Sequence, residues 1–246
     1  MSALRGDNVV KRSEAMPWFD GPTLLEHLET VEIAGDRDLD SRRFPVQWVI
    51  RPMSEEHHDY RGYAGQVAGG VWRAGDDVLV LPSGLRTRVA AVEQADGLLE
   101  HAVPGMSVTI RLEDDLDISR GDMLCDPDDA PALSRQLEAT VCWMSERVLQ
   151  PGARLSVKQT SRSVRAVVDE IASVLDVTSL EGDESRHELA LNDIGTVTLR
   201  LSAPLAVDRY AENRATGSFI LIDEATNDTV AAGMVIASDR GSDLLV

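Results

Sequence analysis

From Phe44 onward the apolar residues of this chain recur at every second position, the period of a strand with one buried face. Phe44, Val46, Trp48 and Ile50 fall on one such face; Met106, Val108, Ile110 and Leu112 fall on another, interleaved with Ser107, Thr109 and Arg111. Residues 61–72, 77–81 and 85–92 lie between them, punctuated by Gly70, Gly75, Ser83-Gly84 and Pro104-Gly105. Short strands at this spacing, without helical interludes, predict a small closed barrel. A second β-rich run begins near Gln136, where Val197, Leu199 and Leu201 alternate with Thr196, Thr198 and Arg200. It ends on two apolar runs, 219–222 and 230–236, joined by a polar, turn-forming segment, which predicts a closing hairpin. Within this second run, 168–177 has a spacing that could pass for a helix.

The segment Cys125-Asp126-Pro127-Asp128-Asp129-Ala130-Pro131 breaks the pattern with prolines and acids, and marks the boundary between two domains, 43–133 and 134–240, with 241–246 as a loose tail. Residues 1–42 follow a different rule. Asp20-Gly21-Pro22-Thr23 is a helix-start signal, with Pro22 expected in the first turn. Leu24, Leu25, Leu28 and Val31 then share one helical face. That face needs a partner surface, yet Gly35 to Arg43 reads as a charged linker, so the helix is expected to be poorly packed and able to drive self-association.

Composition narrows the function classes. The 246 residues suffice for two medium domains with real cores, and with aromatic residues at 4% those cores must be aliphatic, filled out by Trp18, Trp48, Trp72 and Trp143. A net charge of -18 opposes binding to nucleic acid or to anionic membrane surfaces. No apolar run approaches the roughly 20 residues of a membrane span. No secretory signal opens the sequence, so a cytoplasmic location is the default expectation. Cys125 and Cys142 have no metal or redox spacing and read as small buried residues. The only lysines, Lys11 and Lys158, are followed by Arg12 and Gln159, so neither belongs to the Gly-Lys-Ser/Thr of a phosphate-binding loop.

Several motifs, taken together, are specific. Ser2-Ala3-Leu4-Arg5-Gly6-Asp7-Asn8-Val9 resembles the last guanine-recognition motif of translation-factor GTPases, and Met16-Pro17-Trp18-Phe19-Asp20-Gly21-Pro22-Thr23 resembles the start of the final helix of that domain. The stretch from Tyr60 to Val78 resembles the second-domain barrel of the same superfamily, with Arg120-Gly121-Asp122 as its closing turn. The segment from Asn213 to Val235, with Leu155 to Thr160 and Leu191 to Gly195 upstream, resembles the third domain in the form found in the large subunit of sulfate adenylyltransferase, a relative of elongation factor Tu.

The resemblance covers nearly the whole chain. It implies a mainly β fold: two elongation factor Tu-like β-barrels after a short helical remnant of a GTPase domain. In that family a small partner subunit transfers the adenylyl group of ATP to sulfate, giving adenosine 5'-phosphosulfate and pyrophosphate. The large subunit couples GTP hydrolysis, with Mg, to that uphill step. Of the GTP site only Ser2, Ala3 and Leu4 carry over, as guanine contacts in an intact GTPase domain. A Met1 start that runs straight into this motif implies a shortened reading frame or a deliberate fragment, acting through the small catalytic subunit and holding no cofactor of its own. The alternative is the equivalent part of a translation factor that binds tRNA or the ribosome; the charge and the Asn213 segment count against it.

The remaining chemistry is sparse. His57-His58-Asp59 offers possible metal ligands, but neighbouring residues point apart and a solvated loop is favoured. Glu113-Asp114-Asp115, Asp126 and Asp128-Asp129 lack calcium-loop spacing and read as solvated acids, so no metal site is expected. Gly62 and Gly65 lack the strand-turn-helix context of a phosphate cradle. His27, His101 and His187 are too scattered to form a catalytic constellation. Lys158, Arg162 and Arg165 form the most basic stretch and are a candidate docking patch for the GTPase domain or the small subunit.

Overall fold

A computed structural model describes residues 1–31, 38–52, 60–95 and 97–238. Contacts divide the chain into two units, 1–37 and 38–246. His57, His58, Asp59 and the 239–246 tail lie outside the described residues.

In the first unit, helix α1 (Leu24–Thr30) is closed at its start by a capping box: the Thr23 hydroxyl accepts from the Glu26 N–H, and the Glu26 carboxylate accepts from the Thr23 N–H at 2.8 Å. Pro22 therefore stands before the N-cap rather than in the first turn, where Thr23 satisfies the free N–H groups instead. The helix buries no residue; Leu25, Leu28 and Val31 are exposed, as the unpartnered face predicted.

The second unit is all β. Strands β1 (Arg43–Pro45), β2 (Trp48–Ile50), β3 (Gly62–Gln66), β4 (Asp77–Leu81), β5 (Leu85–Gln94), β6 (Gly97–Leu99), β7 (Ser107–Leu112) and β8 (Met123–Cys125) form one antiparallel sheet, in the order β1-β8-β4-β5-β7-β3-β2 with β6 hung on β5. Its two end strands are consecutive in the chain, so the sheet curls around its own apolar face, with Phe44, Tyr63, Trp72, Ile110 and Leu124 at the centre. Phe44, Val46, Trp48 and Ile50 do not share one face. At Val46-Gln47 the chain leaves β8 for β3: the Val46 N–H donates to Asp122 O and the Gln47 N–H to Ala64 O. The change of partner reverses the alternation, exposing Trp48 and packing Val49 inward.

Strands β9 (Ala132–Trp143), β10 (Arg154–Gln159), β11 (Arg162–Asp176), β12 (Glu181–Asp183), β13 (Ile194–Val207), β14 (Ser218–Ile222) and β15 (Thr229–Ser238) form the second sheet. Pairing runs β10-β14-β15-β9-β13-β11 and returns through β11 to β10, closing a six-stranded barrel with β12 outside. The predicted hairpin is β14–β15. Residues 168–176 are strand, not helix. Two β-bulges, between Val168 and Glu170 and between Ile171 and Ser173, stretch the buried spacing from two residues to three. Val168, Ile171 and Val174 are all buried in the core, a helical period produced by a bulged strand.

Candidate functional site

Among the described residues of the second unit, a network of buried polar contacts forms the seam between the barrels. It begins at Arg43, which the sequence places in a linker but the fold places in β1, 3% exposed. Its guanidinium makes a two-pronged contact with Asp208, Nε to Oδ2 and Nη2 to Oδ1, both 2.9 Å. The Arg43 Nη1 also donates to the Asp129 carbonyl at 2.7 Å. Paired hydrogen bonds to a carboxylate fix direction as well as distance. Burial alone would pull the guanidinium pKa down; Asp208 and Asp129 outweigh it and hold the pKa above its ordinary value.

The Asn213 segment completes the seam. Thr216, fully buried, donates its hydroxyl to Asp208 Oδ2 at 2.6 Å. Asn213 donates to the Ala68 carbonyl of the first barrel at 3.0 Å, while its own oxygen accepts the Ala215 and Thr216 N–H groups. Gln159 donates to the Ala206 and Thr216 carbonyls. Gly217 has to be glycine, because a Cβ there would sit 2.5 Å from the Tyr210 backbone. Gly70, at φ +68°, lets Arg42 approach where a Cβ would stand 2.5 Å from the Arg42 Cα. Beneath these polar contacts lies an apolar cluster drawn from both barrels: Leu79, Leu81, Met123 and Cys125 from one, Leu133 and Ala206 from the other. Burial pushes the Cys125 thiol up to about 12.

A second polar contact spans the seam at Ser161, whose hydroxyl donates to the Val46 carbonyl at 2.8 Å, and at Arg162, 3.3 Å from Asp122. Burial raises the Asp122 pKa and Arg162 partly offsets the rise. Arg162 therefore faces the seam, whereas Lys158 and Arg165 lie on the outer surface of the second barrel, Arg165 opposite Ser156 and 3.1 Å from Glu224. The acids of the interdomain break are anchored by arginines: Asp126 pairs with Arg42 at 2.6 Å and Asp129 with Arg43 at 3.7 Å. Arg43 and Asp208 escaped sequence reasoning because each stands in a run of ordinary surface charges, 165 residues apart. The usable signal was Arg43 leading directly into the alternating strand pattern and Asp208 closing one.

In the first unit Ser2, Ala3 and Leu4 form a turn in which the Ser2 N–H donates to the Asp7 carbonyl at 2.9 Å and the Gly6 N–H to the Ser2 carbonyl at 2.8 Å. Leu4 is 96% exposed. Among the described residues no three His, Cys, Asp or Glu side chains gather as metal ligands, and no helix is long and apolar enough to cross a membrane.

Residues 136–236 match the family model described as GTP-eEF1A C-terminal domain-like. The chain is 52% identical to the bifunctional enzyme CysN/CysC of Mycobacterium tuberculosis (strain ATCC 25618 / H37Rv), over 96% of its own length and 39% of that protein. It is 46% identical to sulfate adenylyltransferase subunit 1 of Alteromonas mediterranea, over 98% of its length and 50% of that protein. A crystal structure of Sup35 complexed with GDP superposes with a TM-score of 0.73 at 20% identity, over 97% of this chain and 58% of that one, and shows the shared fold. The chain thus spans about half the length, or less, of the curated relatives it matches.

Proposed function

Because the chain is a homologue of sulfate adenylyltransferase subunit 1, we propose that these 246 residues are the double-barrel part of such a subunit and act in sulfate activation through the small catalytic subunit. The observation that carries this reading is identity of 43 to 52% across at least 96% of the chain, including the Asn213 segment that seals the seam. The barrels perform no bond-making step. They transmit the nucleotide state of a GTPase domain to the partner's active site, which requires an element that both sites bias. A rigid pair of barrels suits this role, since a seam built from a buried ion pair, buried amides and an apolar cluster moves as one piece. The exposed apolar face of α1 supports reading residues 1–42 as part of a GTPase domain.

Ser2, Ala3 and Leu4 are the guanine contacts in this reading, and they need the rest of a nucleotide site to act. The sequence holds no Gly-Lys-Ser/Thr to engage the phosphates. The 246 residues alone are therefore expected to show no heat of GTP binding by titration calorimetry at micromolar to submillimolar nucleotide, with or without Mg. A saturable micromolar isotherm would contradict this assignment.

A further inference from the structure

The outer surface of the second barrel carries a groove of about 380 Å³ along β10, β11 and β13. Val167 sits in its floor, directly opposite Arg154 on one neighbouring strand and Arg200 on the other. Strands are about 4.8 Å apart, so these two arginines start roughly 10 Å from each other across the valine. Arg165, two residues along β11, stands on the same face. Glu224 also lines the groove.

Three arginines converge here on a protein whose net charge is -18. Two are held by exposed partners: Arg165 by Glu224 at 3.1 Å and Arg200 by Asp169 at 3.0 Å. Arg154 has no ion pair among the described residues. Exposed pairs of this kind are weak and screened by water, so exchanging an internal carboxylate for an incoming one costs little. Apolar area at Val167 beside charged rims suits a ligand that brings carboxylates and an aliphatic side chain together. A long polyanion such as RNA would extend past the patch onto the acidic remainder of the surface, which repels it.

We propose that this arginine groove receives an acidic segment bearing an aliphatic residue, supplied by the small catalytic subunit; the inference rests on the partnership proposed above. The test compares the dissociation constant of the small subunit for the unaltered chain and for the double variant Arg165→Glu/Arg200→Glu. Both side chains are well exposed, at 80% and 63%, so the fold is retained. The double variant is expected to weaken binding at least about tenfold and to flatten its dependence on salt. Arg165→Gln/Arg200→Gln should fall between. Arg73→Glu/Arg86→Glu makes the same change of charge on exposed residues of the first barrel and should shift affinity by less than about threefold. Unaltered affinity in the groove variants, with the parent chain binding, overturns this inference alone. No binding by the parent chain overturns the proposed function and this inference with it.

Discussion

Asp208→Ala is expected to lower the unfolding free energy by about 3–5 kcal/mol, or to prevent folding, because it leaves a buried guanidinium with only the more distant, solvent-exposed carboxylate of Asp129 at 3.7 Å. Arg43 is 3% exposed and both arms of its contact end on this one carboxylate. Thr216 loses its acceptor in the same step. Asp169→Ala removes the carboxylate partner of Arg200 on the open surface, where one Nε reaches both oxygens at 3.0 and 3.1 Å, and should cost less than about 1 kcal/mol. The contrast between the two variants separates a buried clamp from a decorative ion pair. Urea unfolding measures it, and a cost below about 1 kcal/mol for Asp208→Ala would contradict the clamp.

A second readout of the same variant is chemical. Cys125 lies inside the apolar cluster between the barrels, its thiol pushed up to about 12 by burial and placed 3.5 Å from the Leu79 carbonyl. At pH 8 it is almost wholly protonated and closed to reagent, so it reacts only when the seam opens. Asp208→Ala should accelerate Cys125 labelling. Cys142, partly exposed on β9, provides the internal reference.

Trp72→Ala is the other large expected effect, about 3–5 kcal/mol for emptying the centre of the first barrel. Trp72 is fully buried, its ring edge-on to Phe44 at 6.0 Å, its Nε1 donating to the Gly69 carbonyl at 3.1 Å, with the Arg42 guanidinium 5.9 Å from its centroid. The variant has a convenient reporter, because Trp18 and Trp48 are largely exposed while Trp143 is 3% exposed in the second barrel. If the seam joins the barrels into one cooperative unit, the unfolding midpoint read from Trp143 falls together with that of the far-ultraviolet dichroism. A Trp143 midpoint unmoved by Trp72→Ala would show that the barrels unfold separately and that the seam transmits little.

The strand pattern was legible wherever one partner strand serves a whole run. Val197, Leu199 and Leu201 face the core as their alternation requires, and the 219–236 hairpin follows from its polar turn. It misled where the chain changes partner or inserts an extra residue. Trp48 is exposed because pairing switches at Val46-Gln47, and 168–176 mimics a helix because two bulges lengthen its period. Both are properties of tertiary pairing, which no local window contains. The seam was hidden for another reason: buried and solvated charges look alike in sequence, and what distinguishes Arg43 from Arg42 is the carboxylate it meets 165 residues later. The Asn213 segment identified a family by resemblance, yet its physical work, binding Ala68 of the first barrel and supplying Thr216 to Asp208, became visible only in the fold.

The central claim, that these barrels act through the small catalytic subunit of sulfate adenylyltransferase, is tested most directly by size-exclusion chromatography with light scattering on an equimolar mixture of the two. The account predicts one peak whose mass equals the sum of the two chains in a fixed ratio. Two peaks at the separate masses, with the chain shown to be folded by its dichroism, would contradict it.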